Sequence, residues 1–115
     1  MTEKHPAGDE PLPDIRAAID GIDAEMIRLI ATRQRWVAAA GREKARSAEG
    51  SAETVDAPAR VQQVIDRVRE RAAAEGASPD VVEATYRAMI AAFIEYERES
   101  ARQSLRRRVR ASRRS

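Results

Sequence analysis

The sequence predicts an all-α protein with three helices per chain, one long and two shorter, intertwined with a second copy as a homodimer. Three observations lead there. Apolar residues recur at three- and four-residue steps along most of the chain. No segment alternates apolar and polar residues in the manner of a strand. The first apolar stripe is longer than one small chain can cover. The 115 residues contain no cysteine and only four aromatic side chains, Trp36, Tyr86, Phe93 and Tyr96, so a single domain without disulfides is expected.

Residues 1–12 (MTEKHPAGDEPL) mix charge, Pro and Gly without periodicity and read as a flexible leader. From Pro13 the pattern changes: Ile15, Ile19, Ile22, Met26, Leu29/Ile30, Val37 and Ala40 fall on one helical stripe. Pro13 suits a first-turn position, and Asp14 complements the positive end of the helix dipole. Charged helix formers carry the pattern past Gly41 to about Ser47. Some 34 residues at 1.5 Å each give roughly 50 Å, against a radius of gyration near 13 Å for a compact domain of this size. A second copy packing along the stripe is the expected solution.

Residues 48–56 are small and polar and read as a loop. A second helix begins near Pro58, with Val61, Val64/Ile65, Val68 and Ala72 on its apolar face and Gly76 as its stop. Ser78-Pro79-Asp80 opens a third, an N-cap followed by Pro at the first helical position. Its stripe is Val82, Tyr86, Met89/Ile90, Phe93 and Ile94. The helical domain is thus placed at 13–103, and residues 104–115 are expected to be a disordered Arg-rich tail.

The formal charge of +2 hides an asymmetry, because residues 102–115 hold seven arginines and no acid. The rest of the chain keeps 14 basic and 19 acidic residues and is net acidic. The overall basicity therefore describes the tail, which has no aromatic residue for base stacking, and this argues against nucleic acid as a partner. A non-catalytic helical dimer with a basic binding tail is the remote alternative.

Several chemistries are excluded at once. Without cysteine there is no thiolate nucleophile or Cys-ligated zinc, and the one histidine, His5, lies in the leader. No metal site and no cofactor are expected. No apolar run approaches the roughly 20 residues of a membrane span, and the N-terminus lacks the apolar core of a signal peptide. A soluble cytoplasmic protein without a membrane partner is the expectation.

Charged residues interrupt the stripes. Extending the first from Met26 and Ile30 reaches Arg33, then Val37 and Ala40, then Lys44, while the third runs into Glu97. Taken singly, such residues read as snorkelling side chains or solvated helix ends. Together, Arg33, Lys44, Arg60 and Glu97 could converge in one cleft between helices. Buried cations need anionic partners, and these stripes offer no carboxylate besides Glu97. A small dicarboxylate substrate would supply the missing charge, and arginine forks suit its geometry.

On these residues the chain resembles the all-helical chorismate mutases, including their isochorismate-pyruvate lyase branch, over roughly residues 13–103. The resemblance rests on Asp14-Ile15-Arg16, Ile19-Asp20 and Ile22-Asp23, on Arg33, Lys44 and Pro58-x-Arg60, and on the segment from Ile90 to Glu97. The intervals of 17 residues from Arg16 to Arg33, 11 to Lys44, and 37 from Arg60 to Glu97 match those of the family. It implies that Arg33 holds one substrate carboxylate and that Arg16 reaches across a homodimer with shared active sites to the other. Lys44 would contact a carboxylate and the bridging ether oxygen, and Arg60 would line the cleft. Glu97 would stand where most members carry a Gln bonded to the same ether oxygen. The implied reaction is the rearrangement of chorismate to prephenate, which needs no nucleophile, metal or cofactor.

Three departures limit what carries over, and the first keeps the lyase branch, which forms salicylate from isochorismate, as an alternative. Val61 occupies the position where mutases place a Glu that reads the C4 hydroxyl, and Ala57-Pro58-Ala59-Arg60-Val61 looks like the lyase branch. Glu in place of Gln at 97 occurs in some mutases and less typically in lyases. The 16 steps from Lys44 to Arg60 exceed the spacing of either branch, so the cleft would carry a longer lid.

Overall fold

A computed structural model describes residues 5–47 and 57–114. Among them are three helices and no strand: α1 (Leu12–Ser47), α2 (Ala57–Glu75) and α3 (Pro79–Arg114). The loop read at 48–56 lies outside the described residues. The chain falls into two units, Met1–Ala40 and Gly41–Ser115, with the boundary inside α1.

In the first unit a short turn precedes the helix. The Glu10 carboxylate accepts backbone N–H bonds from Ala7 and Gly8, both at 2.8 Å, and from Asp9 at 3.1 Å. Those bonds favour the ionised form and hold Glu10 below the usual carboxylate range. Gly8, at φ 106°, supplies the left-handed step that a side chain would resist. The Pro11 carbonyl then accepts from Asp14 and Ile15, starting α1 with Asp14 in its first turn. The apolar stripe lies open along the helix. Ile15, Ile19, Ile22, Met26 and Leu29 are all exposed, Ile22 at 56%, and Trp36 reaches 73%.

In the second unit α2 packs on α3 as an αα-hairpin. Ile65 and Ala72 of α2 are its buried residues, 1% and 4% exposed. Val61, Val64 and Val68 are half-buried on the same face, as are Val82, Tyr86, Met89, Ile90 and Phe93 on α3. The connection is built as the sequence requires. Gly76 adopts φ 78°, the Ala77 N–H donates to the Ala72 carbonyl at 2.8 Å and the Gly76 N–H to Ala73 at 3.3 Å, which together form a Schellman cap. One residue on, the Ser78 hydroxyl accepts from the Val81 N–H at 3.2 Å and caps α3. Arg69 clamps the hairpin by donating to Asp80 and Glu83, each at 2.9 Å.

The third helix departs from expectation. It is not a shorter helix followed by a disordered tail: its 36 residues equal α1 in length, and residues 104–114 are its last turns. The reason is local. Arginine is a good helix former, and no Gly or Pro follows Pro79. Glu95–Arg98 and Glu99–Arg102 pair one turn apart at 2.7 and 3.0 Å, and Arg113 and Arg114 complement the negative end of the dipole. The apolar stripe thins beyond Ile94, but helical propensity does not.

Candidate active site

The residues singled out in the sequence divide between the two units. Arg16, exposed in the second turn of α1, and half-buried Arg33 belong to the first unit. Lys44, Arg60, Val61 and Glu97 belong to the second. Lys44 lies in the last turn of α1 and Arg60 in the first turn of α2. Both are exposed, and no ion pair among the described residues reaches either. Val61, half-buried, turns toward the hairpin core that Ile65 anchors one turn later.

Glu97 is exposed on α3 and approaches the end of α1. A Cβ added at half-buried Gly41 would sit 3.9 Å from its Oε2 atom, an ordinary van der Waals contact. Gly41 precedes Lys44 by three residues, so the two share one helix face. Glu97 therefore lies against the turn that leads to Lys44. Arg60 is placed by the hairpin: equal steps away from the Arg69–Asp80 and Arg69–Glu83 pairs bring it level with the turn from Met89 to Ala92, roughly 8 to 12 Å along α3 from Glu97.

Sequence reasoning gave no role to Gly41, the residue against which Glu97 lies. Its signal was present: a glycine inside a helix costs about 1 kcal/mol relative to alanine, and here it follows three alanines. Reasoning from sequence also missed the second cluster of charges in the hairpin. Glu83 bonds Arg87 at 2.7 Å as well as Arg69. These cations, Arg87 first, hold Glu83 below its usual range against a smaller opposing effect of burial, while Arg69 is raised by its bonds to Asp80 and Glu83. The cluster is a structural clamp, since each charge in it is satisfied from within the protein.

Two exposed cations that no ion pair among the described residues reaches, Lys44 and Arg60, suit an anionic small molecule. Among the described residues no group of His, Cys, Asp and Glu could hold a metal ion, and no helix is long and apolar enough to cross a membrane. No curated protein and no solved structure matches the chain. A family model does: chorismate mutase type II matches residues 15–98, from the start of the α1 stripe to the residue after Glu97. That family is one of isomerases acting on chorismate and also contains related lyases. With most of its length matched, the chain belongs to the chorismate mutase type II family.

Proposed function

We propose that the protein is a chorismate mutase that works as a homodimer with shared active sites. The observation that carries this reading is the family match across 15–98, together with the charged residues Arg16, Arg33, Lys44, Arg60 and Glu97, whose intervals match the family's except for the longer step from Lys44 to Arg60. The approach of Glu97 to the Gly41 turn supports it, because two groups assigned to the same ether oxygen then lie on adjoining turns. In the reaction the ether C–O bond breaks as a new C–C bond forms, with no proton or electron pair supplied from outside. The protein's part is to fold the enolpyruvyl group over the ring and to stabilise negative charge growing on the ether oxygen. Arg33 and the Arg16 of the second copy hold the two carboxylates, Lys44 donates to the ether oxygen, Arg60 balances the bound dianion, and Glu97 donates when protonated.

Val61 favours a second reading, elimination of pyruvate from isochorismate, since an apolar side chain there cannot bond the C4 hydroxyl of chorismate. Incubation of the purified protein with each substrate separates the two. Prephenate from chorismate is expected. Salicylate and pyruvate from isochorismate alone would move the assignment to the lyase, and turnover of neither would refute both.

A further inference from the structure

The last turns of α3 lie beyond the part of the chain that matches the family, which ends at residue 98. Residues 102–114 form a helical arm with seven arginines and no acid. Arg102 is held by Glu99, but no ion pair among the described residues reaches Arg106, Arg107, Arg108, Arg110, Arg113 or Arg114. The arm also carries a short apolar seam. Leu105 and Val109, one turn apart, are 62% and 44% exposed. At 100° per residue, Arg102, Arg106 and Arg113 border that seam on one side and Arg108 on the other.

The complementary pattern occurs in the same chain. The exposed seam of α1, Ile15, Ile19, Ile22 and Met26, is bordered by Asp14 and Glu25 on one side and by Asp23 on the other. Residues 9–25 contain six acids and one base. Glu25 is paired with Arg28 at 2.8 Å, but no ion pair among the described residues reaches Asp14, Asp20 or Asp23. Lengths agree as well: the 13-residue arm spans roughly 20 Å and the seam from Ile15 to Met26 roughly 17 Å.

We propose that the arginine arm is a dimer clamp, which lays Leu105 and Val109 on the apolar seam of α1 in a second copy and pairs its arginines with the flanking Asp14 and Asp23. The occupant is fixed by charge and by register. If Arg16 of the second copy reaches the site that holds Glu97, as the proposed function requires, the acids within two turns of that Arg16 come to the part of α3 where the arm begins, five residues after Glu97. The clamp rests on that reading of a shared site. Its effect is to hold the second copy's α1 so that Arg16 is in place.

The test uses the full chain. Reversing Arg106, Arg108 and Arg113 to Glu is expected to raise the dimer dissociation constant by about tenfold or more, in sedimentation at low salt. Activity should fall at low protein concentration and recover at high. Asp14→Arg and Asp23→Arg in the same chain should restore the dimer, with helicity by circular dichroism as the control for folding. An unchanged dissociation constant, or no rescue by the second charge reversal, would overturn the clamp. So would tight binding of the native chain to duplex DNA with a dimer indifferent to both reversals, which would make the arm a nucleic-acid surface. Recovery of activity on mixing Arg16→Ala with Arg33→Ala chains tests the shared site separately, so failure of the clamp and failure of the shared site are told apart.

Discussion

At the scale of single residues, the two exposed cations Lys44 and Arg60 are cheap to remove, because no ion pair among the described residues is lost with them. Lys44→Ala and Arg60→Ala should therefore shift stability by no more than about 0.5 kcal/mol, while lowering kcat by about 100-fold or more if each stabilises charge in the transition state. Turnover and thermal unfolding of the same preparations check this; loss of helicity in step with activity would make the charges structural. Arg33 is half-buried, and its Ala variant should also lose turnover, with helicity measured alongside. Glu97 has a different signature. A carboxamide is a permanent hydrogen-bond donor, so Glu97→Gln should keep or raise turnover, whereas Glu97→Ala should lose it. An inactive Glu97→Gln with helicity intact would remove Glu97 from that role.

At the scale of the elements, the α2–α3 hairpin depends on its connection more than on a large core, since only Ile65 and Ala72 among the described residues are fully buried. Gly76→Ala would force an L side chain to φ 78° and should cost about 1 kcal/mol. Ser78→Ala removes the cap on Val81 and should cost a similar amount, about 1 kcal/mol, both read by urea unfolding. The Arg87–Glu83–Arg69 cluster adds a pH dependence whose sign follows from the lowered Glu83. A carboxyl group bound more weakly to its proton in the folded state stabilises the fold above its ordinary value of about 4.3. That contribution is lost as pH falls through the lowered value. The midpoint of thermal unfolding should therefore drop less between pH 6 and pH 3 in Glu83→Gln than in the native chain.

At the scale of the whole molecule, the open seam of α1 and the proposed shared site lead to one expectation about assembly. A chain with Arg16→Ala and a chain with Arg33→Ala should each be inactive alone. Mixed and allowed to exchange, they form dimers in which one site carries both lesions and the other carries neither. Partial recovery of turnover on mixing is expected. No recovery after subunit exchange has been verified would mean that Arg16 serves its own chain or no site at all.

The sequence by itself determined the three helices, the start of α1, the Gly76 stop and the Ser78-Pro79 start, because caps, prolines and apolar periodicity are local signals that need no tertiary partner. It also supplied the charged positions of the proposed site, since their intervals are a property of the chain. The approach of Glu97 to Gly41 and the clamp of Arg69 on Asp80 and Glu83 were decided only by tertiary structure, as they join residues far apart in sequence on facing helices. The arginine arm lies between these cases. Reading its like charges as a disordered tail overweighted repulsion, which water and salt screen over about 10 Å. Arginine's helical propensity and the pairing of Arg98 and Arg102 with Glu95 and Glu99 carry α3 on to Arg114.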